Sequence, residues 1–227
     1  MLRYNLQSHG GHERSFGLVA LLDPLSEATI RGLWHELELA GITASLPSIV
    51  CAQPHITLGT FTDVCKSLLH DLPALASACR PFGIAFSSIG VFTGHNGATV
   101  FLQPTVTREL LELQRGMRKL MQRLHLPLHP FYEAERWHPH CSLGVGLPRP
   151  TATRAFEYCL DLELPLWGQV RSLALLEMIR HAGQVISGCQ QARWELVSGK
   201  RLPTIPCPHP AECLFEQART IDWLNLS

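Results

Sequence analysis

The stretches "PHITLGTF" (54–61) and "HPHCSLGVG" (138–146) set out one pattern twice. Each has a His, one spacer, a hydroxyl residue and a Leu-Gly pair: His55-Ile56-Thr57-Leu58-Gly59 and His140-Cys141-Ser142-Leu143-Gly144. The two His are too far apart along the chain to share a helix or a hairpin, so two elements carry them. Both copies read as strands, where side chains alternate between faces. His55, Thr57 and Gly59 should then share one face, with Ile56 and Leu58 on the other. Likewise His140, Ser142 and Gly144 should oppose Cys141, Leu143 and Val145. Each strand would offer an apolar row to a core and a His-plus-hydroxyl row to a ligand, with the small Gly leaving space above it.

Outside the motifs, "SFGLVALL" (15–22) reads as a strand and "SEATIRGLWHELELAG" (26–41) as a helix, with Ser26 as N-cap and Ile30, Leu33, Trp34 and Leu37 on its apolar face. "DVCKSLLHDLPALASACR" (63–80) is helical in character but interrupted by Pro73, which predicts two short helices or a broken one. "FGIAFSSIGVF" (82–92) and "ATVFLQP" (98–104) read as strands joined at Asn96-Gly97. "TRELLELQRGMRKLMQRLHL" (107–126) is the clearest helix, with Leu110, Leu113, Met117, Leu120 and Leu124 recurring at three and four. A helix at 149–162 and closing strands at 170–179 and 192–197 complete the chain.

The order around each copy is alike: strand, helix, motif strand, helix, strands. This predicts an α+β fold, bilobal and duplicated about a pseudo-twofold, with two antiparallel sheets flanked by helices and a central cleft. Residues 1–200 would form that single domain, its two lobes free to exchange strands rather than being sequential segments, and 201–227 a tail containing Pro and Cys.

Composition narrows the function classes. The 227 residues hold 19 Lys plus Arg and 19 Asp plus Glu, a formal net charge of zero, which excludes broad electrostatic adhesion to nucleic acid or anionic membrane. A small phosphorylated substrate in a local site stays open. "FGLVALL" (16–22) is too short to span a membrane and lacks the flanks of a signal peptide. The eight Cys are scattered without CxxC spacing, which reads as mostly buried thiols in a reducing, cytoplasmic setting. His138 and His140 with Cys207, His209 and Cys213 fit none of the usual zinc spacings, so no metal and no cofactor are expected.

Two such strands facing across a cleft would gather two imidazoles and two hydroxyls around one small group. A phosphodiester suits that arrangement. One imidazole takes a proton from attacking water while the other gives one to the departing oxygen, and the hydroxyls hydrogen-bond the non-bridging oxygens.

On these paired His-x-Thr/Ser motifs, and on the strand-turn-strand-helix order between them, the chain resembles the two-histidine phosphoesterase superfamily. Its 2′-5′ RNA ligase and cyclic phosphodiesterase branch is the nearest in pattern, over most of residues 15–197. The resemblance implies a bilobal α+β protein with a metal-independent active cleft, His55 and His140 as catalytic pair, and Thr57 and Ser142 as phosphate contacts. The family often carries an aromatic and an Arg near its second motif; here "FYEAERWHPH" (131–140) offers Phe131, Tyr132, Arg136 and Trp137. Tyr132, Arg136 and Trp137 are taken as substrate-binding candidates, an aromatic among them stacking a base.

The function implied is a phosphodiesterase acting on a 2′,3′-cyclic phosphate, or a related phosphodiester, of a nucleotide or RNA end. Its rivals are 2′-5′ oligonucleotide cleavage, RNA 3′-end trimming or ligation, and non-catalytic binding of an RNA end. No membrane and no obligate protein partner are expected.

Overall fold

The computed structural model describes residues 12–204. In chain order it holds β1 (His12–Leu22), α1 (Pro24–Leu39), β2 (His55–Phe61), α2 (Lys66–Ser77), β3 (Phe82–Phe92), β4 (Ala98–Pro104), α3 (Arg108–Arg123), a 3-10 turn (Pro130–Tyr132), β5 (Cys141–Leu147), α4 (Arg149–Cys159), β6 (Leu166–His181), β7 (Gln184–Glu195) and β8 (Arg201–Leu202). This is an α+β fold. Hydrogen bonds join all eight strands into one sheet of order β2-β1-β6-β3-β4-β5, with β7 and β8 branching from β6. The expectation of two sheets is thereby redrawn, and β6 is the reason. Its 16 residues are long enough to serve two sets of partners, β3 along Leu166–Val170 and β7 along Ser172–His181.

β1 alternates cleanly. Phe16, Leu18, Ala20 and Leu22 join the main core with the buried faces of all four helices, whereas Val19 and Leu21 pack with Ala174 and Leu176 in a separate small group on the opposite face. Helices thus cover one face of the sheet. The helix-to-strand pairing is crossed: α1, which precedes the first motif, packs against β5, and α3, which precedes the second, packs against β2.

Local chemistry sets the helix ends. α1 starts two residues before the expected Ser26, because Asp23 is the better acceptor. Its carboxylate takes the amides of Leu25 at 3.0 Å and Ser26 at 3.2 Å, and Pro24 occupies the first turn where no amide is needed. Ile30, Leu33, Trp34 and Leu37 are buried as the periodicity requires. Contrary to expectation, α2 runs unbroken through Pro73. The ring removes one intrahelical bond, but Leu68, Leu72 and Ala76 remain buried along one side and hold the helix across it. α3 is capped by Thr107, whose side chain accepts from Leu110 N at 3.3 Å. The β3–β4 hairpin turns at Gly97, whose φ of +98° and contact with the main chain of Gly146 leave no room for a side chain.

Cys65, Cys141, Cys159 and Cys189 are buried, in keeping with the reading of the cysteines, while Cys207 and Cys213 lie outside the described residues. Among the described residues no helix is long and apolar enough to cross a membrane.

Candidate active site

β2 and β5 are the two ends of the strand path, yet they approach within 8 Å, Cα to Cα. The thiol of Cys141 in the second motif faces the main-chain N–H of His55 in the first; burial pushes that thiol up to about 12. The sheet has curled until the two motifs adjoin.

Register shows what each motif does locally. Residues opposite one another in an antiparallel pair share a face. Leu21 lies opposite His55 and Val19 opposite Thr57, so both motif side chains stand on the face away from the helices. The next pair is Leu18 with Gly59, a step that skips Leu58 and leaves it as the extra residue of a β-bulge. β5 repeats this. Phe101 lies opposite Ser142 and Val100 opposite Gly144, so Leu143 is skipped.

The bulges overturn the expectation that Gly59 and Gly144 share a face with the His. Each bulge puts two successive residues, Leu58-Gly59 and Leu143-Gly144, toward the core, where all four are buried. Glycine serves the core rather than the ligand: a Cβ on Gly59 would lie 2.6 Å from Met117 Cε on α3, and one on Gly144 2.9 Å from Leu147 Cδ1.

The imidazoles are tethered identically. His55 Nδ1 lies 2.7 Å from the carbonyl of Gln53 and His140 Nδ1 2.8 Å from the carbonyl of His138. A carbonyl can only accept, so Nδ1 carries the proton and Nε2 of the neutral ring is the basic nitrogen. Each His follows a proline, Pro54 or Pro139. The fixed φ of that residue helps fold the ring back onto the carbonyl two residues upstream. Burial lowers the pKa of His55, opposed by its bond to Gln53, and a charge on His140 lowers it further. His140 is also lowered, by burial first, with the charge of His138 adding to it. The rings therefore sense one another, and a second proton on the pair is disfavoured.

Their surroundings differ. His140 sits against Phe92 at 4.9 Å, edge to face, and Phe101 at 5.2 Å. Phe101 reaches it because its cross-strand partner is Gly90, over which the ring lies. His55 and Ser142 border a cavity of about 450 Å³ whose polar lining, Ser45, Asn96 and Gln184 among it, is uncharged. The α1–β2 connection walls it, held to β5 by Val145 N donating to Ser45 Oγ at 3.1 Å and to β7 by a bridge between Val50 and Ser187.

Of the three substrate-binding candidates just ahead of the second motif, Tyr132 lies at the site. Its hydroxyl faces the side chains of Thr60 and Thr57, while burial raises its pKa. Arg136 is exposed, with its carbonyl accepting from His138 Nδ1 at 2.9 Å. Trp137 is not a stacking surface. It is 9% exposed and belongs to the core, with its indole N–H donating to the Thr57 carbonyl at 2.9 Å. Sequence reasoning missed Phe92, Phe101, Gln53 and Trp34, whose indole donates to the Ser142 carbonyl at 2.9 Å. The proline before each His was the one available signal for the carbonyl tethers. Nothing in the sequence marked the aromatic pair.

Residues 26–182 match the family model described as the 2′-5′ RNA ligase superfamily. Comparison of the sequence with curated proteins gives no match. Among solved structures, LigT of E. coli in complex with 3′-AMP is similar at TM-score 0.55 and 16% identity, over 81% of this chain and 98% of that one. TT0787 of Thermus thermophilus is similar at 0.53 and 15%, over the same shares of each chain. A structure described as a phosphoesterase also gives 0.53, at 18% identity and again 81% and 98% coverage. The structural likenesses speak for the fold, and the family match spans more than half of the sequence. By that match this chain is a member of the 2′-5′ RNA ligase superfamily.

Proposed function

We propose that the chain is a phosphodiesterase that opens a 2′,3′-cyclic phosphate, or a related phosphodiester, on a nucleotide or RNA end, with His55 and His140 as acid–base pair. The supporting observation is the shared tether: both Nδ1 atoms are committed to carbonyls, which leaves both Nε2 atoms for proton transfer. LigT of E. coli, of the same fold, is described in complexes with 3′-AMP and with NADP+. Both ligands present a phosphate beside a nucleoside, and here a cavity of about 450 Å³ with neutral polar walls adjoins His55 and Ser142.

In the working state the pair holds one proton. The neutral imidazole takes a proton from water as its oxygen bonds to phosphorus. The imidazolium gives its proton to the departing ribose oxygen as that P–O bond breaks. The proton gained by one ring replaces the one lost by the other. Thr57 and Ser142 donate hydrogen bonds to the non-bridging oxygens, with Tyr132 orienting the Thr57 hydroxyl. Two imidazoles supply both transfers, so the reaction needs no metal.

In fold terms the proposal is a duplication. Residues 1–200 form one unit whose two halves, each with a bulged motif strand, are related by a pseudo-twofold across the cleft. Of the tail expected over 201–227, Arg201 and Leu202 pair with β7, and 205–227 lie outside the described residues.

The test is turnover of 2′,3′-cyclic mononucleotides, 2′-5′ oligomers and cyclic-ended RNA by the unaltered chain, H55A and H140A. Turnover of a cyclic phosphate that both substitutions abolish supports the reading. Full activity in either variant, or tight binding without turnover, overturns it.

A further inference from the structure

We infer that Trp34 and Trp137 form a crossed pair of positioning residues, each holding the motif strand of the opposite half in place for the reaction proposed above, on which this inference rests. Trp34, on α1 ahead of the first motif, donates from Nε1 to the carbonyl of Ser142 in the second motif at 2.9 Å. Trp137, just ahead of the second motif, donates to the carbonyl of Thr57 in the first, also at 2.9 Å. The acceptors are equivalent, since each belongs to the hydroxyl residue immediately before a bulged Leu.

The bulge explains why a donor is wanted there. An extra residue interrupts the ladder at that step, and a buried carbonyl left without a donor is costly. At both steps an indole N–H comes from outside the sheet. Both indoles are buried, at 4% and 9% exposure, and a phenyl ring would meet the same apolar demand. Filling the core does not require an N–H aimed at the same carbonyl twice.

Crossing gives the pair its consequence. The peptide that Trp34 grips sits two residues after His140, and the one that Trp137 grips two residues after His55. Each imidazole and its neighbouring hydroxyl are thus referenced to scaffold belonging to the other half. A misplacement of about 1 Å between reacting groups can cost about 10²-fold in rate. Trp137, expected from sequence to touch substrate, acts on it through Thr57.

The test uses W34F and W137F in the full chain, with two readouts. Amide NMR without substrate reports the bonds directly, because the Leu143 and Leu58 amides share peptide groups with the Ser142 and Thr57 carbonyls. W34F should shift Leu143 and spare Leu58, and W137F should do the reverse. In turnover, each variant should lose about tenfold in kcat, the worth of one such hydrogen bond; KM should stay within about twofold for W137F, whereas Trp34 also borders the cavity and W34F is read by its kcat. W34F/S142A should lose less than the product of the two single losses, because part of the W34F effect passes through the Ser142 hydroxyl, whereas W34F combined with T57V should multiply the two losses. Uncrossed amide shifts, an unchanged kcat, or equal multiplication in both double variants would overturn the inference. If phenylalanine leaves a void that unfolds the chain, benzothienylalanine, which replaces the indole N–H with sulfur in the same ring shape, removes only the donor. A lack of turnover by the unaltered chain counts against the enzymatic reading alone; the amide readout then still decides whether the brace exists.

Discussion

The two motif strands are built alike and furnished differently. β2 and β5 share a proline before the His, a tether to the carbonyl two residues upstream, a hydroxyl on the open face, a bulge at Leu-Gly and an indole on the carbonyl at the bulge. Beyond that they part. Thr57 faces Tyr132, and His55 borders the cavity. His140 rests on Phe92 and Phe101, and Ser142 faces the cavity from the other strand. What is repeated is what moving two protons requires; what differs is what a substrate with two unlike ends requires.

The largest test of the shared part is removal of the imidazoles. H55A and H140A should each lower kcat by about 10³-fold, and the double variant should be little worse, because the rings act as one unit. Single-turnover rates check this, and a large inequality between the two would break the equivalence. Next come the hydroxyls: T57V and S142A should each cost about 10²-fold in kcat. Y132F should cost only a few-fold, since it alters the orientation of Thr57 and leaves the donor present; steady-state kinetics on the three variants would show whether Thr57 depends on its tyrosine.

Smaller effects follow at the bulges. G59A should destabilise the fold by about 1–3 kcal/mol, because its Cβ meets Met117 on α3, and G144A should cost the lower part of that range, because Leu147 is the neighbour that must give. Urea unfolding midpoints measure both.

The smallest concerns pH. Both His have native pKa values below the ordinary 6.5. Between the native values and 6.5 the unfolded chain binds protons that the folded chain refuses, so stability rises with pH through that window and is flat above it for these groups. H55Q and H140Q should each flatten part of the slope. The bell of kcat/KM against pH should centre below 6.5, since one proton on the pair is the productive state.

Much of this is legible in the sequence, and the failures have a common cause. The apolar faces of α1 and α3 follow from spacing alone, because helical periodicity survives local detail. His55 and Thr57 stand on one face of β2 as alternation requires. Alternation misplaces Gly59 and Gly144 because it assumes an unbroken strand, and one inserted residue reverses it from that point on. Pro73 weighs less than it promises because its cost is local, whereas the burial that outvotes it is tertiary. Trp137 resembles a ligand surface because an aromatic beside a motif has two uses, and only three-dimensional burial separates them. The single sheet is hidden for a similar reason: nothing in the composition of β6 tells how many neighbours its length will serve.

The meeting of β2 and β5 also bears on how the molecule behaves in company. Terminal strands with unclaimed amides and carbonyls invite pairing with another chain and are a common origin of aggregates. Here the two terminal strands of the path lie against each other, with no ladder between them. Each shields the other from strangers.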